Sequence, residues 1–174
     1  MKKQKGFSLI ELLIVVAIIL IIAAIAIPNL LRSKMAANES SAVGSIRTIN
    51  TAQVTYSSSW GTGYAVALAN LGDGGVTPCA AAAANACLID SVLSGGTKSG
   101  YTFKAAGTLL VNAVYNGFEV NATPAVVGTT GQRSFCSDQT GVIRFQVSGA
   151  AVGTGAGNCA AVATAAGVSG PLGN

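Results

Sequence analysis

The chain begins with the segment MKKQKGFSLIELLIVVAIILIIAAIAIP, residues 1–28. A short leader with three lysines precedes an apolar run at residues 7–27, in which Glu11 is the one charged side chain. As a helix at about 1.5 Å per residue, this run is about 30 Å long, which matches the hydrocarbon thickness of a bilayer. The pattern predicts a membrane anchor whose lysines stay in the cytoplasm, with everything after Pro28 exported.

Glu11 is unusual because it lies inside this apolar run. An ionised carboxylate at the centre of a membrane helix costs about 2.5–3.5 kcal/mol, and less near an interface, so an acid there needs a partner. Residues 7–27 contain no lysine or arginine. Cleavage between Gly6 and Phe7 would create an α-amine one helical turn from Glu11, on the same helix face. A cut at this position would therefore supply the missing cation.

Three stretches resemble one known family. The sequence KGFSLIELLIVVAII at residues 5–19 looks like the class III signal of type IV pilins. Residues 23–29 resemble the continuation of that signal, and FCSDQTGVIRF at residues 135–145 is similar to the late sheet region of many type IVa major pilins. The middle of the chain, residues 65–99, and the tail, residues 152–174, carry no such resemblance.

The resemblance implies a pathway of processing and assembly. Prepilin peptidase would cut after Gly6, the new N-terminal Phe7 would be methylated, and the chain would wait in the bacterial inner membrane before polymerising with copies of itself. Glu11 would then pair with the Phe7 amine of a neighbouring subunit, and the segment at Pro28 would be able to melt as subunits pack. The pilus assembly machinery would be a partner, and such extracellular fibres serve adhesion, twitching motility or DNA uptake.

Other interpretations of the N-terminus lead to different functions. An ordinary secretory signal could be cut near Ala24-Ile25-Ala26, but its apolar region would be shorter and would lack Glu11. A major pseudopilin of a type II secretion system shares the leader and Glu11, but tends to lack disulfides. A monomeric membrane-anchored binding domain explains the anchor, but gives no reason for the Gly6-Phe7 junction.

Composition limits what the exported part can do. The chain has 174 residues, 9% of them charged, which suits one anchor and one modest domain. Loss of the leader's three lysines leaves seven basic and six acidic residues, which is too small an excess of positive charge to indicate nucleic-acid binding. There is no histidine, no phosphate-binding glycine loop and no expected close pair of acids in the exported part. The sequence predicts neither an enzyme nor a cofactor.

Four cysteines follow the anchor, in the exported part of the chain where disulfides persist. Three pairings are open, and the preferred one is local, Cys79 with Cys87 and Cys136 with Cys159. The second bond would hold the tail against the sheet, and in type IVa pilins a disulfide in this region defines a surface loop. The spacings and the lack of histidine disfavour a metal site.

The periodicity of the remaining sequence predicts an α+β fold. Apolar residues at helical spacing continue past Pro28 to about Ser57, so one long helix should combine a membrane-spanning first half with an amphipathic second half. Alternating segments in the second half of the chain predict three or four antiparallel strands, at residues 101–104, 117–122, 133–136 and 142–147. The tail is expected to be an irregular loop held by Cys159. The predicted divisions are a leader at 1–6, a helix at 7–57 and a globular head at 58–174.

Overall fold

The fold combines one long helix with one antiparallel sheet, which confirms the predicted α+β class. The computed structural model describes residues 7–75, 78–162 and 169–172, so the leader with Gly6 lies outside the described residues. The helical elements are helix α1 (Leu9–Trp60), a 3₁₀ turn (Leu68–Leu71) and helix α2 (Ser91–Ser94). The strands are β1 (Thr97–Lys98), β2 (Tyr101–Val111), β3 (Val114–Pro124), β4 (Ser134–Asp138), β5 (Arg144–Gln146) and β6 (Ser169–Pro171).

The first half of α1 is apolar and exposed. Its most apolar 18-residue window has a mean hydropathy of 3.3, and none of that window is buried. The helix continues through Pro28, as the sequence predicts. The chain divides into two compact units, Met1–Lys34 and Met35–Asn174. The first half of α1 is long enough and apolar enough to cross a membrane.

The second half of α1 is amphipathic because its apolar residues recur at helical spacing. The helix ends at Trp60, three residues beyond the predicted end. One face carries buried side chains that join a core with the sheet residues Tyr101, Phe118 and Phe135. The buried residues of this helix face are Glu39, Ala42, Ser45, Ile46, Ile49, Ala52, Gln53 and Tyr56.

The sheet is a six-stranded meander in which each strand pairs with the next along the chain. The predicted strands at 101–104 and 117–122 are parts of one long hairpin, β2 and β3, which pair from Tyr101 and Pro124 to Val111 and Val114. Asn112 and Ala113 form its two-residue turn with positive φ values of 50° and 63°. This turn type usually carries Asn-Gly or Asp-Gly, so Asn-Ala gave little signal in the sequence.

Two edge strands, β1 and β6, were missed by the strand prediction. β1 is two residues long, too short for an alternating pattern to show. β6 contains Gly170 and Pro171, residues that disfavour a strand in sequence terms, yet it pairs with β5. The prediction that the whole tail is an irregular loop is therefore wrong at Ser169–Pro171, where backbone pairing at the sheet edge overrides local composition.

Candidate functional site

The exposed face of the first half of α1 is the largest apolar surface of the described chain. Phe7 is 84% exposed, and the large aliphatic side chains from Leu9 to Leu31 are each 44–75% exposed. Covering a single Leu or Ile side chain is worth about 1.5–3 kcal/mol. A surface of this kind is stable only in lipid or against other apolar helices.

Glu11 closes the first turn of this helix. Its Oε2 accepts a hydrogen bond of 2.9 Å from the backbone N–H of Ser8, the residue before the helix begins. This contact is one half of a capping box, in which the glutamate three residues into the helix reaches back to the capping residue. This capping role was not predicted, although Ser8-Leu9-Ile10-Glu11 has the S-x-x-E pattern that indicates it.

The structure places Phe7 immediately before this cap, and the predicted bond between its α-amine and Glu11 requires a cleaved chain. Pro28 lies within α1, seventeen residues beyond Glu11 along the chain. The roles predicted for Gly6, Phe7, Glu11 and Pro28 in processing and assembly stay predictions.

A buried carboxylate, Glu39, joins α1 to the segment that enters β4. Its Oε1 accepts bonds from the backbone N–H groups of Gln132 and Arg133, at 2.9 and 3.1 Å. Its Oε2 lies 2.8 Å from Nε and 2.7 Å from Nη2 of Arg133. Burial raises the pKa of Glu39, but these hydrogen bonds and the Arg133 charge outweigh it and hold the pKa below the ordinary value of 4.5.

Replacing Glu39 with Gln should destabilise the protein by about 2 kcal/mol at pH 7, because charge-assisted hydrogen bonds are lost. A carboxyl with a lowered pKa stabilises the fold above its unfolded pKa, and this stability is lost as pH falls through the folded value. The difference from wild type should therefore shrink below pH 4.5. Urea unfolding of the full chain in detergent, followed by Trp60 fluorescence, measures it.

A matched control for this variant is Lys98→Gln, which breaks the exposed ion pair of Lys98 and Asp90. Exposed pairs contribute about 0–1 kcal/mol, so this control should stay close to wild type. Equal losses in the two variants would show that the Glu39 contacts add nothing beyond an ordinary surface pair.

The C-terminal segment is fixed to the face of the sheet opposite α1. The Cys136–Cys159 disulfide, predicted from the sequence, is confirmed, with a Cα–Cα distance of 5.6 Å. Asn121 Nδ2 donates to the carbonyl oxygen of Val152 on the same face. Cys136, Cys159 and Val152 form a small buried cluster, so this part of the tail is packed against the sheet.

Glu119 holds the same segment through backbone groups. Its Oε2 accepts a 3.0 Å hydrogen bond from the N–H of Cys159, and the nearby N–H groups of Gly157 and Asn158 act with it to lower the pKa of this carboxyl group. Its Oε1 is buried and has no hydrogen-bond partner among the described residues. One carboxyl group therefore faces the backbone N–H groups of three consecutive tail residues and accepts a hydrogen bond from the last of them.

Glu119 lies directly opposite Asp138, because the two are register partners on β3 and β4. Both are buried, at 2% and 7% exposure. The expectation that the exported part contains no close pair of acids is therefore wrong, since residues nineteen apart in sequence are paired by the register of the sheet. Burial raises the pKa of Glu119, the three N–H groups lower it, and the Asp138 charge raises it, leaving it above the ordinary value of 4.5.

Replacing Glu119 with Gln should leave stability at pH 7 equal to wild type or higher, and should flatten its dependence on pH. A carboxyl with a raised pKa contributes stability that is fully present below the unfolded value of about 4.5 and is lost as pH rises through the folded value. Gln resembles the neutral acid at every pH. Urea midpoints between pH 4 and pH 8 measure the change, and Glu39→Gln, with the opposite slope, is the control. A Glu119→Gln profile parallel to wild type would contradict the assignment.

Two further features lie in the second compact unit, Met35–Asn174. A second disulfide joins Cys79 to Cys87, with a Cα–Cα distance of 6.2 Å. After β4, Asp138 Oδ1 accepts a 2.9 Å bond from the N–H of Thr140, and Gly141, at a φ of 76°, donates its N–H to the carbonyl oxygen of Asp138. These two bonds close a turn at Asp138. No group of three or more His, Cys, Asp or Glu side chains converges within residues 7–75, 78–162 and 169–172.

Comparison with known proteins gives matches that include the N-terminal motif. A family model, the prokaryotic N-terminal methylation motif, matches residues 1–27. The chain is 62% identical over 39 residues to the type IV wide pilus major component PilA4 of Thermus thermophilus, covering 22% of this chain and 30% of that protein. It is 46% identical over 54 residues to the type IV major pilin protein PilA of Myxococcus xanthus, covering 31% and 24%.

These matches cover less than a third of each curated relative. No solved structure matches this one. The similarity to these relatives therefore covers less than a third of this chain.

Proposed function

The N-terminal methylation motif and the two pilin relatives support a type IV pilin, and from this premise we propose that the chain is the structural subunit of a type IV pilus. Prepilin peptidase cuts it after Gly6, Phe7 is N-methylated, and the chain polymerises into a cell-surface fibre. The chain has a structural role and no catalytic one. The fibre serves adhesion, twitching motility or DNA uptake, and any motor is a separate protein.

The observation that carries this proposal is the exposed apolar half of α1. Its large aliphatic side chains are exposed, yet an aliphatic surface of this length is unstable in water. In the bacterial inner membrane, lipid covers it, with the leader in the cytoplasm. In the fibre, the same side chains pack against those of neighbouring copies, so one surface serves both environments.

Glu11 gives the assembly its register. Removal of the leader frees the Phe7 amine, and a Glu11 carboxylate in an apolar fibre core needs a cation. An unpaired charge in such a core is strongly unfavourable, so subunits add where Glu11 meets the amine of a neighbour. Pro28 is the proposed point of local helix opening, since proline lacks the N–H that an α-helix interior requires.

The two disulfides support a surface pilin over a pseudopilin of a type II secretion system. Major pseudopilins tend to lack disulfides, whereas a fibre outside the cell can keep them in its oxidising environment. The second bond also ties the tail to the sheet of the subunit.

Intact mass spectrometry of protein sheared from the cell surface, with and without reduction, tests this proposal. The expected species begins at Phe7, is one methyl group heavier than its sequence, and is four hydrogens lighter before reduction. A chain that keeps residues 1–6 and is absent from the sheared fraction would instead indicate a monomeric membrane-anchored domain.

A further inference from the structure

We propose that Arg32 and Lys34, just after the apolar half of α1, form a binding site for the phosphate headgroups of anionic phospholipids. This inference rests on the proposed function, in which lipid covers the first half of α1 before assembly. It adds a specific class of lipid as a partner of the stored subunit. It also sets the depth at which Glu11 lies in the bilayer.

Two charged residues border the apolar part of the helix. Residues 12–31 contain no charged side chain, with Glu11 directly before them and Arg32 directly after them. Twenty residues of helix at about 1.5 Å per residue are about 30 Å long, the thickness of the hydrocarbon core of a bilayer. With Arg32 at one surface of that core, Glu11 therefore lies at the other surface and not at the centre.

Both cations are exposed and lack an acidic partner. Among the described residues, neither Arg32 nor Lys34 takes part in an ion pair or a side-chain hydrogen bond. The next acidic residue along the chain, Glu39, is already bound by Arg133. The guanidinium and ammonium groups are therefore free to bind an anion from outside the chain.

The positions of the two cations favour lipid over a protein partner. Residues two apart on a helix are separated by about 200°, so Arg32 and Lys34 project to nearly opposite sides of α1. A docked protein would cover one side, whereas headgroups surround a spanning helix. The large aliphatic side chains just before the cations, Ile27, Leu30 and Leu31, are each 52–69% exposed. Lipid tails would cover these side chains and headgroups would reach both cations.

The chemistry of the two side chains selects anionic headgroups. Arg and Lys keep their aliphatic stems in the apolar region while their charged ends reach the level of the phosphates. Arg binds phosphate through two parallel hydrogen bonds, and Lys adds a point charge. Phosphatidylglycerol carries a net negative charge, whereas the choline of phosphatidylcholine cancels that of its phosphate. Each basic residue near an anionic surface strengthens binding about fivefold.

The same register lowers the cost of holding Glu11 in the membrane. A carboxylate costs less near an interface than at the centre of the bilayer. Headgroup contacts at Arg32 and Lys34 oppose movement of α1 along the membrane normal, because such movement would draw the cations into the hydrocarbon. The two cations thus fix the depth of the opposite end of the helix.

Spin-labelled lipids test the site. The full chain is reconstituted in phosphatidylcholine bilayers, and electron spin resonance measures how much spin-labelled phosphatidylglycerol or phosphatidylcholine is immobilised on it. Arg32→Gln with Lys34→Gln should lower the preference for phosphatidylglycerol by up to about fivefold for each charge. Arg47→Gln with Lys104→Gln is the matched control, because it removes one exposed Arg and one exposed Lys from the second compact unit. It should keep the wild-type preference.

Thiol labelling in the same bilayers tests the depth of α1. All four native cysteines are in disulfides, so an introduced thiol is the reactive one. A small maleimide, which reacts with thiols in contact with water, should label Leu9→Cys. It should not label Ile21→Cys, which lies in the middle of residues 12–31.

The outcomes separate this inference from the proposed function. An unchanged lipid preference in Arg32→Gln with Lys34→Gln, with Ile21→Cys protected, would overturn the headgroup site and leave the membrane-stored subunit in place. Labelling of Ile21→Cys as fast as Leu9→Cys would remove both, because the helix would not span the bilayer. An equal loss of preference in the control pair would overturn the site, since charge at any position would then attract the lipid. The preference should also persist when inorganic phosphate replaces chloride at the same ionic strength, and its loss would assign the cations to free phosphate.

Discussion

Replacing Glu11 with Gln should abolish surface fibres while leaving cleavage after Gly6 intact. The amide still accepts the hydrogen bond from the N–H of Ser8, so the cap of α1 is kept. What is lost is the charge that would pair with a neighbour's Phe7 amine, and an unpaired buried charge costs about 3–5 kcal/mol at each subunit contact. At about 1.4 kcal/mol for each factor of ten, subunit addition should weaken by about two to three and a half orders of magnitude. Electron microscopy and immunoblots of the sheared fraction measure the loss.

Glu11→Ala is the matched variant, because it removes both the charge and the cap. If charge pairing drives assembly, the Gln and Ala variants should be equally deficient in fibres. If capping alone matters, Glu11→Gln should form normal fibres and Glu11→Ala should not. Normal fibres from both variants would eliminate any role for this carboxylate in assembly.

Replacing both Cys136 and Cys159 with Ser should destabilise the protein by about 3.4 kcal/mol, on the loop-entropy model for a sequence separation of 23. The loss should exceed that estimate if the tail detaches, because Glu119 would lose the N–H groups of residues 157–159. Urea unfolding of the full chain in detergent, followed by Trp60 fluorescence, measures the change. Limited proteolysis should then cut the tail first.

The matched control for the tail disulfide is replacement of Cys79 and Cys87 with Ser. That bond closes a loop of sequence separation 8, so the same model expects a smaller loss of about 2.6 kcal/mol. It should leave the tail resistant to protease. Rapid cleavage of the tail in both variants would show that the Cys136–Cys159 bond is not what holds it.

Local sequence patterns predicted the helix well but missed contacts between strands that are far apart in the sequence. The period of α1 repeats over many residues, so its amphipathic half and its passage through Pro28 were readable from sequence. The pairing of Glu119 with Asp138 depends on the register between β3 and β4, which no local pattern encodes. The β6 strand was hidden for the same reason, because its pairing with β5 is a long-range contact.

The residues of the candidate site also differ in how far the sequence predicted them. The anomaly of Glu11 was visible because an acid in an apolar run is rare, and its capping contact was encoded in Ser8-Leu9-Ile10-Glu11. The role of Glu39 could not be predicted from the sequence, because an acidic residue on a helix is common. Its role depends on contacts with Gln132 and Arg133, which the fold brings next to it.

The Glu39 contacts also determine where a mechanical load on α1 is transferred to the sheet. Glu39 is the first buried residue of α1, so tension transmitted along the helix reaches its contacts with Gln132 and Arg133 before it reaches the aliphatic core. Four contacts converge on one carboxylate, two of them to backbone N–H groups at the entrance to β4. Pulling on the helix therefore loads the sheet directly through its backbone, and several bonds share the force at that point.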